Sequence, residues 1–154
     1  MKLYLVQHAK AVSKEADPER PLTEEGIRDA RKVAGFIKPL ELCVDYLWHS
    51  GKKRAEQTAD ILADVIIINK GKTARTGLDP NDDVIAFKDK LGKSRQDIMT
   101  VGHLPFWAKL ASLLVAGSES ANTVAFRNAG IVCLNRLDDN TWQLEWMITP
   151  DILC

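Results

Sequence analysis

Apolar positions in this chain recur with two periods, and the two alternate along its length. Lys2-Leu-Tyr-Leu-Val6 reads as a buried first strand, followed by a polar stretch from Lys10 to Arg20. Ile27, Ala30, Val33, Ala34 and Ile37 then fall three or four apart, which predicts a helix with one face on a sheet. Thr23 stands where an N-cap belongs, Glu24 and Glu25 occupy the first turn that the helix dipole favours for acids, and Pro39 ends the helix. Val44–Trp48 reads as a second strand, and a helix follows from about Arg54 to Asp64 with Ala55, Thr58, Ala59 and Leu62 inward. The β-branched run Val65–Ile68 fits a continued helix and a strand equally, and 73–77 fits an edge strand.

The remainder keeps the alternation. A helix is predicted over Asn81–Leu91 with Val84, Phe87, Lys88 and Leu91 on one side, then a strand over 97–101. Pro105 suits the first turn of a helix running to about Val115. Ile131–Leu137 and Trp142–Ile148 flank Asp138-Asp-Asn-Thr141 as a hairpin. Strand and helix in alternation predict an α/β fold: a mostly parallel sheet between two helical layers, with the C-terminal antiparallel hairpin closing one side.

Composition narrows the classes. At 154 residues, 45% hydrophobic and 27% charged, the chain is expected to be one soluble domain, residues 1–154. Acidic and basic residues balance at 21 each, so no global field favours nucleic acid or an anionic membrane. No stretch approaches the roughly 20 apolar residues that span a bilayer, and the first apolar run is too short for a signal peptide. Cys43, Cys133 and Cys154 show no metal-binding spacing. The expectation is a cytoplasmic protein with incidental thiols. Gly71-Lys72-Thr73 lacks the earlier glycine of a phosphate-binding loop, since position 66 is Ile66, and reads as a solvated turn.

Candidate chemistry lies at three strand ends. His8 follows the first strand, His103 follows Asp97–Val101, and Arg54 opens the helix after Val44–Trp48. In open α/β sheets ligands collect outside the carboxyl ends of the strands, so the three side chains are expected to converge. A neutral imidazole attacks phosphorus, a second imidazole stabilises the charged oxygens, and a guanidinium forks onto two of them. A lone histidine after a strand is more often structural; it is the joint placement that points to phosphoryl chemistry.

Four ordered motifs carry a resemblance. Leu5-Val-Gln-His-Ala9 ends the first strand; Arg20-Pro-Leu-Thr-Glu-Glu-Gly26 precedes the first helix; Ser50-Gly-Lys-Lys-Arg-Ala-Glu-Gln-Thr-Ala59 opens the second; Val101-Gly-His-Leu-Pro105 ends a later strand. Together they resemble the histidine phosphatase superfamily, with its phosphoglycerate mutase-like fold, and most closely its small phosphohistidine phosphatase branch (the SixA type). The resemblance implies that His8 is the phosphorylated nucleophile, Arg54 a phosphate clamp and His103 the second imidazole. Arg20 is implied either as a further positive group or as a structural residue; Gln57 and Thr58 are expected to orient their helix. It implies no metal or organic cofactor, and a phosphorylated protein or small phosphorylated molecule as substrate.

Two departures matter. The family has arginine immediately before the nucleophile, and here Gln7 offers hydrogen bonds without charge, which implies attenuated activity. Lys10, Lys52 and Lys53 are the cations available to compensate. His49-Ser50-Gly51 replaces the family's usual small residues and Ser-Pro. Larger members carry a separate acid for an alcohol leaving group in an inserted segment; Asp79, Asp82 and Asp83 are the candidates, with Asp82 or Asp83 also suiting a helix start. A short chain suits phosphohistidine on a protein, since a protonated imidazole leaves without such help. The alternative is a degenerate phosphatase that binds phosphorylated partners without turning them over. Phosphoglycerate mutase-like transfer fits less well, because the chain is short for segments that enclose a sugar acid.

Overall fold

The structure is a computed structural model describing residues 1–154. The strands are β1 (Lys2–Gln7), β2 (Cys43–His49), β3 (Ile67–Ala74), β4 (Ile98–Gly102), β5 (Ile131–Arg136) and β6 (Trp142–Ile148); the helices are α1 (Glu24–Ile37), α2 (Lys53–Ala63), α3 (Val84–Gly92) and α4 (Phe106–Ala116). All six strands form one sheet in the order β3-β2-β4-β1-β5-β6. β3, β2, β4 and β1 run parallel, while β5 is antiparallel to both of its neighbours. The expected α/β architecture with a C-terminal antiparallel hairpin is what forms.

The period-2 pattern of the strands divides the core in two. Leu3 and Leu5 of β1 pack with Phe106, Trp107 and Leu110 of α4, and Phe87 of α3. Tyr4 and Val6 face the other way, onto Val33 and Ile37 of α1 and Ala55 and Ala59 of α2. Helices therefore cover both faces of the sheet, the arrangement that buries a parallel strand on each side. No helix is long and apolar enough to cross a membrane.

Local signals set most boundaries. Thr23 caps α1 by accepting the Gly26 N–H at 2.9 Å, and Asp83 caps α3 by accepting that of Ile85. The undecided run after α2 divides: α2 stops at Ala63, Val65 and Ile66 lie in a turn, and β3 begins at Ile67. The edge strand thus starts and ends earlier than 73–77 suggested, because the β-branched Ile67 and Ile68 pair with Cys43 and Val44, and Gly71-Lys72-Thr73, expected as a turn, lies within it beside Tyr46–Trp48. Lys88 is exposed, leaving Val84, Phe87 and Leu91 as the buried side of α3.

One glycine fixes how α1 meets the loop after β1. A Cβ at Gly26 would lie 2.1 Å from the Lys10 carbonyl oxygen, a backbone atom that also accepts the Thr23 N–H. Gly26→Ala is therefore expected to destabilise the fold by about 2–3 kcal/mol, the upper part of the usual range for overpacking, because the backbone atom it meets cannot yield. Urea denaturation checks this; a midpoint equal to wild type would show that the loop moves freely.

Candidate active site

Because β2, β4 and β1 are neighbours and parallel, their carboxyl ends lie side by side. Gln7 pairs with Gly102 and His49 with Val101, so His8, His103 and Ser50 emerge together at one edge of the sheet. The His8 backbone is pinned on both sides: its N–H donates to the Gly102 carbonyl at 3.0 Å, and its carbonyl accepts from Asn128 Nδ2 at 2.8 Å. Ala9 donates its N–H to Thr58 Oγ1, whose hydroxyl in turn donates to the Arg54 carbonyl. Gln57 Oε1 accepts the Leu22 N–H at 2.8 Å. Gln57 and Thr58 thus tie α2 to the loop after β1, as expected of them.

The His8 ring has a defined tautomer. Nδ1 lies 2.7 Å from the Ala9 carbonyl oxygen, which only accepts, so Nδ1 carries the proton. Nε2 is left with its lone pair, and Arg54 Nε–H donates to it at 3.3 Å. Burial lowers the His8 pKa from 6.5 to about 4, against the pull of the Ala9 hydrogen bond, and the charges of Arg54 and Arg20 lower it further. At neutral pH this imidazole is uncharged, with one free nitrogen beside a guanidinium.

His103 stacks obliquely on it, ring centroids 5.1 Å apart. Its Nε2 meets Ser50 Oγ at 2.6 Å, and its buried Nδ1 has no partner. Burial lowers its pKa to about 3, with His8, Arg54, Lys52 and Arg20 acting in the same direction. Formal positive charge in the pocket therefore comes from Arg54, Arg20 and Lys52 and not from the imidazoles. Burial and the neighbouring Arg20 also hold Arg54 below the usual guanidinium range. Arg20 is anchored by Nε donating to the Val12 carbonyl at 3.0 Å, and its charge is felt by both imidazoles.

The remaining candidates separate clearly. Gln7 is buried, and its Oε1 finds no donor. Lys10 turns to Glu25 at 2.6 Å, Lys53 opens α2 exposed, and Lys52 is the lysine whose charge reaches His103. Asp82 accepts the Asp79 N–H and Asp83 caps α3, which accounts for both. Asp79 alone of the three stands at the pocket, paired with Lys52 at 3.7 Å and close enough for its charge to act on Arg54. Ser50 and Asn128 were not singled out from the sequence. Ser50 belongs to a matched motif, so a signal existed for it; Asn128 lies 120 residues from His8 in a loop without any.

Two neutral buried imidazoles carry a stability consequence. Once unfolded, each takes up protons around its ordinary pKa near 6.5. Below that value the unfolded chain binds more protons than the folded one, so stability falls as pH falls, by up to about 1.4 kcal/mol per pH unit for each ring. His49, also lowered by burial, acts in the same direction. The Tm is expected to be flat from pH 8 to 7 and to decline between about 6.5 and 4.5, above the carboxylate range. His103→Asn should decline less steeply; a slope equal to wild type would show that His103 titrates normally in the fold.

The sequence profile of the histidine phosphatase superfamily (branch 1) matches residues 3–74. Phosphohistidine phosphatase SixA of Escherichia coli (strain K12) is 23% identical, over 97% of this chain and 94% of that protein. Among solved structures, the protein histidine phosphatase SixA complexed with tungstate superposes with a TM-score of 0.83 at 22% identity, covering 98% of both chains. A phosphoserine phosphatase from Entamoeba histolytica superposes with a TM-score of 0.69 at 17% identity, covering 97% of both. The resemblance is borne out, and so is the fold it implied; the profile takes in three of the four motifs, with Val101–Pro105 beyond it.

Proposed function

From the match of residues 3–74 to the histidine phosphatase superfamily and the SixA fold of the whole chain, we infer that this protein is a phosphatase that hydrolyses phosphohistidine on a partner protein. Residues 1–154 act as one catalytic domain. The observation that carries the reading is His8 Nε2: unprotonated, backed by the Nδ1–H to Ala9 bond, and facing Arg54.

The reaction proceeds in two displacements. The Nε2 lone pair attacks phosphorus, the P–N bond to the substrate imidazole breaks, and that imidazole departs after taking up a proton. Water then attacks phospho-His8, releasing orthophosphate and restoring the free ring. Arg54 clamps two phosphoryl oxygens, and Arg20 adds positive charge. His103 offers Nδ1 to a third oxygen once Ser50 satisfies Nε2. Such preorganised groups supply most of the rate in phosphoryl transfer. Gln7 contributes hydrogen bonding without charge, so turnover is attenuated.

A second reading is favoured by one observation. Asp79 sits at the pocket with Lys52, where an acid could serve an alcohol leaving group, and a phosphoserine phosphatase shares the fold. A third is that Gln7 has converted the protein into a binder of phosphorylated partners. The test is to incubate the full chain with a protein carrying 32P on histidine, and with phosphoserine in parallel. Release of orthophosphate from the first, with transient acid-labile label on the chain, supports the reading. Faster release from phosphoserine would overturn it in favour of a phosphoester, and tight binding with no label transfer in favour of a binder.

A further inference from the structure

A second concavity, away from His8, lies between β2 and α3 and has a volume of about 610 Å³, the size of a small-molecule site. Four cations line it, Arg75, Lys90, Lys93 and Arg95, and no carboxylate does. They arrive from three chain segments: the turn after β3, α3 with the turn that follows it, and the approach to β4. None of the four forms an ion pair. Of the carboxylates beside it in sequence, Asp45 accepts the Asp97 N–H and pairs with Lys70, Asp97 accepts the Lys2 N–H, and Asp89, exposed on α3, forms no ion pair with any of the four cations. Converging unpaired cations repel one another, and a bound anion relieves that repulsion.

The floor of the cavity is aromatic. Tyr46 and Trp48 stack with ring centroids 5.8 Å apart and planes 28° apart, and the Arg75 guanidinium lies 4.4 Å from the Trp48 ring centre. Trp48 Nε1, a buried donor, has no acceptor in the protein. Flat surfaces of this kind hold planar rings, and guanidinium planes stack on them as well.

We propose that this cavity is a binding site for a nucleoside polyphosphate, its base against Tyr46, Trp48 and Arg75 and its phosphates on Lys90, Lys93 and Arg95. An acidic peptide or a bare polyphosphate would satisfy the cations and leave the ring wall unused. A free nucleoside would do the reverse. The site stands apart from the phosphatase reading, because none of its lining residues belongs to the His8 pocket. The two are linked along the chain: Arg75, whose N–H donates to the His49 carbonyl at 2.8 Å, begins the segment that leads on to Asp79 at the catalytic pocket.

The test is calorimetric titration of the full chain with ATP, with orthophosphate present to fill the His8 pocket. One equivalent of ATP should bind with a Kd below about 1 mM, and tripolyphosphate and adenosine at least about tenfold more weakly. Arg75→Ala/Lys93→Ala should weaken ATP at least about tenfold, and Lys90→Gln/Lys93→Gln, confined to exposed side chains, should do the same if the first pair fails to fold. His8→Ala should leave ATP binding unchanged. The proposal is overturned by no ATP binding at millimolar concentration, by binding lost in His8→Ala and kept in the lysine variants, or by tripolyphosphate matching ATP. A glutamate-rich peptide binding more tightly than ATP would assign the cavity to a protein and overturn it equally.

Discussion

Replacing His8 with alanine is expected to lower turnover of a phosphohistidine-bearing protein by at least about 10,000-fold while leaving the protein folded. The rate should collapse because the substitution removes the attacking atom. What remains is an electrostatic cradle of Arg54, Arg20 and His103 that can only polarise the phosphoryl group for direct attack by water. A loss of that size corresponds to about 5.5 kcal/mol of transition-state stabilisation, in the range seen when a nucleophile is deleted and its surroundings kept. The fold should survive because the interactions that pin position 8 are made by its backbone, to Gly102 and Asn128, and alanine keeps both. Deleting the ring also removes a desolvated imidazole, so acid stability should improve between pH 6.5 and 4.5. The measurements are single-turnover phosphate release, capture of acid-labile phosphate on the chain, and far-UV circular dichroism. Activity within tenfold of wild type, or label still trapped in the variant, would remove His8 as the nucleophile.

The meeting of His8, Arg54 and His103 was legible in the sequence for a physical reason. Each follows an apolar run short enough to be a strand, and parallel strands feeding helices deliver their carboxyl ends to one edge. The helical periods of α1 and α2 were equally readable, down to Thr23 as cap and Ala55, Thr58, Ala59 and Leu62 as the buried side. Where reading failed, two forces competed over the same residues. Val65–Ile68 is apolar enough for a helix and β-branched enough for a strand, and pairing with β2 decided its second half, Ile67 and Ile68. Within the site, contacts that depend on rings and carbonyls have no sequence period to betray them. The Nδ1 bond to Ala9 that sets the His8 tautomer, the Ser50 bond to His103 and the Asn128 bond to His8 are all of this kind. Nor could charge counting tell Asp79 from Asp82 and Asp83, since all three occupy one turn and differ only in which neighbour each meets.

Gln7→Arg is the substitution expected to raise activity, by about 100-fold in kcat/KM toward the same phosphohistidine protein. Gln7 stands on β1 opposite Gly102, where the Trp107 ring fills the space that a side chain at 102 would take, and its Oε1 is buried without a donor. A guanidinium there replaces an unsatisfied acceptor with charged donors, which are expected to reach the phosphoryl group. Hydrogen bonds from a charged donor to a phosphoryl oxygen are roughly twice as strong as those from an amide, and a gain of about 2–3 kcal/mol is a rate factor near 100. A third cation beside Arg54 and Arg20 has an opposing cost in mutual repulsion, which is greatest in the empty pocket and is neutralised when the dianionic phosphoryl group arrives. The gain should therefore appear with substrate bound, in kcat as much as in KM, because charge on the equatorial oxygens persists through the transition state. The added charge also disfavours protonation of His8, so the acid limb of kcat/KM should move to lower pH, keeping the nucleophile neutral at pH 7. If kcat/KM stays unchanged while the variant folds normally, the side chain at position 7 does not reach the phosphoryl group and attenuation by Gln7 is wrong. If wild type shows no turnover and the variant does, the residue before His8 is what separates a binder of phosphorylated partners from an enzyme built on the same scaffold.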